Sequence, residues 1–517
     1  MATWRTYIKT GLKSLGLYGP AATALKTYRY REYTSWTRRR EPQLPPAKVN
    51  QGPLFSIIVP THKYTARYIE PLLGSLLHQS YPNWQLVVVN ACNSAADVTA
   101  TDQLADRDPR IKVVRLKRNL HISGNTNAGL AAATGEFVCF LDHDDVLADF
   151  ALAEIAAALA TDPHIDVFYS DEDKLTDDAR QRFYPFFKPD LVQELILTSS
   201  YTCHFMGART SLLREIGGLR SEFDGAQDYD LMLRLLDRTS RVHHIARMSY
   251  HWRMAASSTA TVISEKSYAA TAGHRALQEH LRRNHIAGTV MGVEGQATAY
   301  RVQYPVGRQR VLLLAADPAV FGAHPLSASL QVDLASLAEY PPLANYDAVV
   351  VVATGLKPAA PDWLDELVGR ALQPETGLVA ATVEDRAGIS PLGYIHRSGR
   401  LHLLEGRIRE PEFTYLGLSS WPRAFAAVPT LCYALAGPLA AFHALNPGAS
   451  DQFELNLRLH QAGRTNVFWP YSRLHRTATA PQLPDSAPIP RWIELPANDP
   501  NFNPNLTIRR RRPALKI

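Results

Sequence analysis

The chain has 517 residues, 46% hydrophobic and 20% charged, with a formal charge of +6; this length excludes a single core and points to two or three domains of an ordinary globular protein. No apolar run reaches the roughly 18 residues of a membrane span, and the N-terminus has no compact apolar core before a small-residue cleavage site. The four cysteines, Cys92, Cys139, Cys203 and Cys432, stand far apart without CxxC spacing. Single buried thiols and a reducing, cytoplasmic setting are expected.

The charge is concentrated at the ends. Arg5, Lys9, Lys13, Lys26, Arg29, Arg31, Arg38, Arg39 and Arg40 face only Glu32 and Glu41, and Arg509 to Arg512 with Lys516 close the chain. Residues 1–50 are basic and aromatic, with Ile8, Leu12 and Leu15 at helical spacing around Lys9 and Lys13. Two readings stand for this arm: it lies on the anionic cytoplasmic face of an inner membrane, or it packs on its own domain. Pro42, Pro45 and Pro46 read as a linker. The basic ends lack the folded context of a nucleic-acid recognition module, so no nucleic-acid partner is expected.

From residue 51 strands and helices alternate. Phe55–Val59 reads as a strand ending in Pro60-Thr61-His62, and Tyr68–His78 as a helix. Leu86–Val89 and Ile111–Leu116 read as strands, and Ser123–Ala133 as a helix rich in small residues. Phe137–Leu141 is a buried strand that breaks into Asp142, Asp144 and Asp145. The alternation predicts an α/β fold, a mostly parallel sheet with helices on both faces. Ligands of such sheets bind at the carboxyl ends of strands near a switch in strand order, where Thr61, Asn90 and Asp142 fall. A helix over Ala148–Ala160, a strand over Val167–Tyr169, an acidic turn at Ser170–Lys174, a helix over Leu231–Leu236 and a closing helix over Ser267–Asn284 complete a domain at 51–300.

A repeat follows. Asp230-Leu-Met-Leu-Arg-Leu matches Glu454-Leu-Asn-Leu-Arg-Leu at an offset of 224 positions (454 − 230), and His251 matches His475 at the same offset. Ala348–Leu356 resembles Phe137–Asp145 in pattern, with Trp363–Leu372 as the next helix. Residues 306–480 are thus expected to form a second copy of the sheet. That copy has lost the chemistry, because Ala353, Gly355 and Leu356 stand at the positions of Asp142, Asp144 and Asp145, and Gln452 at that of Asp228. Residues 481–517 are expected to form an irregular, proline-rich basic tail.

Three carboxylates beside a buried strand are costly unless a cation neutralises them. Asp142 and Asp144 are the candidate ligands for Mn²⁺ or Mg²⁺, with His251 as a third. For Asp144 the competing reading is a helix N-cap before Val146. Asp228 is the candidate general base. It too could cap a helix, yet Asp224, Asp228 and Asp230 crowd seven positions, more than a cap requires.

These motifs resemble those of family 2 glycosyltransferases of the GT-A fold, a group that builds bacterial surface polysaccharides. The resemblance rests on F-S-I-I-V-P-T-H from Phe55, N-L-H-I-S-G-N-T-N-A-G-L from Asn119, G-E-F-V-C-F-L-D-H-D-D from Gly135, Y-S-D-E-D-K from Tyr169, G-A-Q-D-Y-D-L-M-L-R from Gly225 and Y-H-W-R from Tyr250. It implies inverting transfer of a hexosyl or rhamnosyl group from a nucleotide-sugar donor to a glycan or lipid-linked oligosaccharide. The resemblance assigns Asp142 and Asp144 to the metal–diphosphate motif, Asp228 to the base, and His251 to the late histidine near the metal. It implies donor contacts from Pro60, Thr61, His62, Asn90, Asn93, Asn119, Asn127 and Asp142. It implies acceptor contacts from Asp171, Glu172, Asp173, Gln227, Trp252 and Arg253; for the three acidic residues a solvated turn is the competing reading. One departure stands out: the aspartate pair usual after the second strand is replaced by Asn90 and Asn93, and His121 stands where glycine is common. A metal-dependent phosphoryl or nucleotidyl transferase and a non-catalytic sugar-binding scaffold are the alternative functions.

Overall fold

A computed structural model describes residues 31–254, 263–322, 326–386, 388–407, 420–440, 452–477, 479–490, 493–496, 498–509 and 511–515. The first half of the N-terminal arm, with Trp4, Tyr7 and the Ile8–Leu15 pattern, lies outside the described residues. Among those described, no helix is long and apolar enough to cross a membrane.

The first sheet uses β1 (Phe55–Thr61), β2 (Trp84–Asn90), β3 (Ile111–Arg115), β4 (Phe137–Phe140), β5 (Val146–Leu147), β6 (Val167–Leu175), β7 (Arg182–Phe186), β8 (Met206–Arg209) and β9 (Val242–Arg253). Their order is β3-β2-β1-β4-β8-β6-β9-β5, with β7 added beside β6. The strands β3, β2, β1 and β4 run parallel, β8 is antiparallel to both neighbours, and β6 and β9 are parallel to each other. The sheet is therefore mixed rather than mostly parallel. Strand β1 is buried along almost its whole length, as a central parallel strand covered on both faces must be. Its Pro60 lies beyond Ile58–Phe140, the last pair with β4, so its missing N–H falls where that ladder has ended.

Helices cover both faces. These are α2 (Ala66–Leu77), α3 (Ala95–Asp102), α4 (His121–Ala132), α5 (Ala151–Thr161), α6 (Gln227–Leu236) and α7 (Ile263–Arg283), following the segment at 31–39, which we call α1. Alternation along β1 divides the core: Ile57 and Val59 pack with Leu72, Leu76, Leu152 and Ile155 of α2 and α5, whereas Ile58 packs with Leu130, Leu231 and Leu277 of α4, α6 and α7. Gly129 lets α4 approach closely, since a Cβ there would stand 2.5 Å from the Ile58 side chain. Strand order reverses between β1 and β4, and the ends of both strands open on the same crevice.

A hairpin, β10 (Thr289–Val293) and β11 (Gln296–Gln303), leads to the second sheet. That sheet comprises β12 (Arg310–Ala315), β13 (Gln331–Ser336), β14 (Ala348–Val352), β15 (Leu356–Pro358), β16 (Thr376–Glu384), β20 (Cys432–Ala436) and β21 (Thr465–Arg476), in the order β13-β12-β14-β20-β16-β21-β15. Strand for strand this is the order β2-β1-β4-β8-β6-β9-β5, with every pairing in the same sense. In the last ladder Val146 faces His251, and Lys357 faces His475. The fold class expected from the sequence, an α/β unit followed by a second α/β copy, is the one observed.

The copies differ in their cover. Helix α8 (Trp363–Ala371) packs under one face of the second sheet. Its other face, Leu312, Leu314, Val349 and Val351, packs against Leu455 and Leu459 of α9 (Gln452–Gln461), Tyr33 and Trp36 of α1, and Phe187 and Met248 of the first unit. Tyr33 and Trp36 are thus core residues between the two sheets, and this half of the arm packs on its own protein rather than offering its aromatics to a surface. Hairpin strands β17 (Ile389–Arg397) and β18 (Arg400–Arg407) and edge strand β19 (Arg423–Phe425) are insertions in the second copy. The tail is not irregular throughout. Its β22 (Ser486–Pro488) joins β18, and β23 (Leu506–Arg509) pairs with β24 (Arg512–Leu515).

Candidate active site

The loop after β4 carries Asp142, Asp144 and Asp145. Asp145 is fully buried. It accepts from the Tyr250 hydroxyl and from the Arg253 N–H at 2.7 Å. Burial pushes its carboxyl well up, and Asp142 and Asp144 push it further. Asp145 therefore anchors the loop. That leaves Asp142, exposed although neighbouring protein surrounds it, and the half-buried Asp144. Burial raises the Asp142 carboxyl; His204 opposes the rise and Asp144 adds to it. No helix begins at Val146, which is the first residue of β5, so Asp144 is not an N-cap.

Arg253 clamps this loop from β9. It is 1% exposed, and its Nε donates to the Asp144 carbonyl at 2.6 Å and its Nη1 to the Asp177 carbonyl at 3.1 Å. Two of its three guanidinium nitrogens are thereby engaged with loop backbone, while Nη2 is buried without a hydrogen-bond partner among the described residues. Trp252, beside it, is half-buried, with the Lys174 ammonium 4.3 Å from its ring centre.

The acidic stretch at 171–173 is not a turn. Strand β6 runs on through it, paired with β9 across register shifts. Asp171, Glu172 and Asp173 are 0%, 7% and 1% exposed. Asp171 accepts from the Lys188 N–H, His244 Nε2 and the Asn503 amide. Glu172 binds Lys188 Nζ at 3.0 Å and the His204 N–H. Asp173 accepts from Tyr33, Arg182 Nε and His251 Nδ1. All three are buried and hydrogen-bonded to groups of the protein itself.

His251 sits opposite Val146, two residues past Asp144. Its Nδ1 meets Asp173 at 2.7 Å, and its Nε2 has no hydrogen-bond partner among the described residues. Asp142 and Asp144 carry their carboxylates on the loop that leads into Val146, the residue His251 pairs with. Among the described residues no three carboxylate, imidazole or thiol groups converge closely enough to enclose an ion. Hard cations of this kind take only one or two protein carboxylates and complete their shell with water and phosphate oxygens, so the donor set fits Mg²⁺ or Mn²⁺ shared with a diphosphate.

Asp228 lies across the crevice in the first turn of α6, whose N-cap is Ala226 with no side-chain cap bond. Asp228 is thus inside the helix and caps nothing. Burial lifts its carboxyl to about 6; His204 draws it down and Asp142 pushes it up. Gln227 Nε2 donates to Asp228 Oδ2 at 3.3 Å while its Oε1 accepts from the Gly225 N–H at 2.7 Å, so Gln227 orients the candidate base. Asp230 is fully buried between Arg220 and Arg234, the latter at 2.9 Å. Asp224 accepts from Ser123 of α4.

His204, just before β8, was not singled out by the sequence. It stacks on Tyr250 at 4.9 Å and lies 5.5 Å from Trp252. Burial opposes its charging, but the Glu172 carboxylate, with Cys203 and Asp142, outweighs it and raises the imidazole well above its ordinary value. The charged form of His204 is thus favoured beside Glu172 and Asp142, and His204 acts in turn on Asp228. A lone histidine in S-Y-T-C-H-F carries no spacing signal that could have revealed it.

The expected donor residues divide. Thr61 is buried and donates to the Lys63 carbonyl. Pro60 is half-buried, and His62 is exposed with its ring 5.8 Å from that of His143. Asn93 is exposed. Asn90 is 1% exposed and spends its amide on Val98, Asp102 and Cys92, so it holds the following loop. Asn127 exchanges two hydrogen bonds with the Leu219 backbone, so it too is structural. Asn119 accepts from the His121 N–H and from Asn125, shaping the turn into α4. There His121 takes φ 60°, the left-handed region that favours glycine.

Residues 56–217 match the family model described as glycosyl transferase family 2. The chain carries a glycosyl transferase family 2 domain. That domain holds the Asp142–Asp145 loop, the buried acidic stretch and His204; Asp228 and His251 follow it in sequence and complete the crevice. Over 92% of its length the chain is 29% identical to the O-antigen biosynthesis protein RfbC of Myxococcus xanthus, covering 42% of that protein. Over 90% it is 28% identical to the uncharacterized protein y4gI of Sinorhizobium fredii, covering 58%. The chain thus spans about half the length of these curated relatives. Among solved structures it is similar to the mannosyltransferase PcManGT from Pyrobaculum calidifontis in complex with GDP-Man and Mn²⁺, at 21% identity and a TM-score of 0.35, covering 50% of this chain and 74% of that one.

Proposed function

We propose that the chain is an inverting glycosyltransferase that moves a sugar from a nucleotide-diphosphate donor to a hydroxyl of a growing cell-surface glycan, with a lipid-linked oligosaccharide as one form of acceptor. The observation that carries this reading is Asp228, held in the first turn of α6 close enough to Asp142 and His204 to feel both, with its carboxyl lifted to about 6 by burial. The family 2 match and the kinship with an O-antigen biosynthesis protein support the substrate class.

A base with this pKa is about nine-tenths ionised at neutral pH and still binds a proton strongly. The acceptor hydroxyl attacks the anomeric carbon, its proton passes to Asp228, and the sugar–phosphate bond breaks with its electron pair leaving on the nucleoside diphosphate. Gln227 holds the Asp228 carboxylate, and the His204 imidazolium offsets the charge of Asp142 and Asp228. Asp142 and Asp144, with Nε2 of His251, would hold Mn²⁺ or Mg²⁺, which when bound neutralises the departing diphosphate.

The test is a panel of nucleotide sugars, hexosyl and rhamnosyl, with Mn²⁺ and a cell-surface glycan acceptor. Asp228→Asn is expected to lower kcat at least about 100-fold while donor-induced thermal stabilisation is retained. Normal turnover by Asp228→Asn would remove Asp228 from the role.

A further inference from the structure

We propose that Asp173, gripped by Tyr33 of α1 and Arg182 of β7, is a positioning residue that aims His251 at a divalent cation beside Asp142 and Asp144, making the segment ahead of the first sheet a working part of the cation site. The inference rests on the proposed use of a divalent cation at this crevice.

Asp173 is 1% exposed. Tyr33 donates to its Oδ2 at 2.5 Å, Arg182 Nε to the same oxygen at 2.5 Å, and His251 Nδ1 meets its Oδ1 at 2.7 Å. An ionised carboxylate only accepts, so Nδ1 carries a proton, and the tautomer this contact selects has its lone pair on Nε2. A carboxylate behind a histidine in this manner fixes the tautomer and the ring plane of a metal ligand. Asp173 in turn cannot rotate, because both oxygens are held. Arg182 closes the cage: its Nη1 and Nη2 reach Glu41 at 2.8 and 2.9 Å, and Nη2 reaches the Tyr33 oxygen at 3.0 Å. The chain of contacts runs from α1 through Tyr33 and Asp173 to His251, 140 positions from Tyr33 to Asp173.

The second sheet supplies an internal contrast. Glu384 faces His475 in the ladder as Asp173 faces His251. There the carboxylate–imidazole separation is 3.5 Å, the His475 side chain is 55% exposed, and the loop positions of Asp142 and Asp144 hold Ala353 and Gly355. That copy has the pair without the partners that would make it a cation site.

The experiment uses the full chain and Mn²⁺ alone. Affinity is read from the free-ion paramagnetic resonance signal, and ligation by His251 from the ¹⁴N coupling in pulsed spectra of the bound ion. The wild type is expected to show the nitrogen coupling. Asp173→Asn is expected to lose it and to bind Mn²⁺ about 10–100-fold more weakly. Tyr33→Phe, which removes one hydroxyl and keeps the buried ring, is expected to weaken the coupling and the affinity in the same direction and decides the matter if Asp173→Asn does not fold. Glu384→Gln is expected to leave both unchanged. Wild-type affinity and wild-type nitrogen coupling in Tyr33→Phe and folded Asp173→Asn would overturn the positioning role while leaving the cation site intact. Absence of Mn²⁺ binding or of nitrogen coupling in the wild type would instead overturn the cation reading of the site, and this inference with it.

Discussion

Replacing His204 by glutamine tests whether the crevice's buried imidazolium sets the working pH of Asp228. His204 lowers the Asp228 carboxyl against burial and against Asp142, and the balance stands at about 6. Removing the positive charge takes away the only one of these influences that favours the ionised form, so the carboxyl must rise. The base works when deprotonated, and the acid limb of kcat/KM therefore moves to higher pH. Each unit of that movement corresponds to about 1.4 kcal/mol of lost charge interaction. For a one-unit movement the ionised fraction at pH 6 falls from about one half to about one eleventh, a roughly fivefold loss, while at pH 9 the two enzymes converge. The assay is kcat/KM from pH 5 to 9 with saturating Mn²⁺ and the donor found by the panel. His204 also stacks on Tyr250, and a purely structural role would depress activity equally at every pH. A pH-independent loss, or an acid limb that stays put or moves down, would refute the reasoning.

Two further outcomes concern stability. Asp230 is fully buried between Arg220 and Arg234, so Asp230→Ala leaves the Arg234 guanidinium without a carboxylate while Arg220 keeps Glu279 at 3.0 Å, and should cost about 3–5 kcal/mol in urea unfolding; a cost below about 1 kcal/mol would mean that water replaces the carboxylate. Asn503, also fully buried, donates to both Asp171 oxygens at 2.9 Å and to the Lys188 carbonyl at 2.7 Å. Asn503→Ala should cost about 1–3 kcal/mol and speed amide exchange around Phe502–Ile508. Unchanged exchange there would show that the tail is held elsewhere.

What the sequence determined by itself was local. The apolar run that stops at Asp142 marks a strand end whichever strands flank it, because burial on both faces demands an unbroken hydrophobic stretch. Asp228 ahead of Leu231 marks a carboxylate in a helix's first turn, and the 224-position offset marks a second copy because ladder register preserves spacing: His251 faces Val146 as His475 faces Lys357. The tertiary structure alone decided which polar residues are available to a ligand. Asp171, Glu172 and Asp173 look like a solvated turn in sequence, yet each is buried against a partner supplied from afar, Asn503 lying 332 positions from Asp171. Asn90 and Asn127 look like donor contacts until their amides are found spent on neighbouring backbone. His204 has no pattern around it, and its imidazole is raised well above its ordinary value only because Glu172, Cys203 and Asp142 outweigh its burial. The reason is physical: composition and period fix where a residue sits along its own element, whereas charge state and accessibility depend on what other elements bring within a few ångströms.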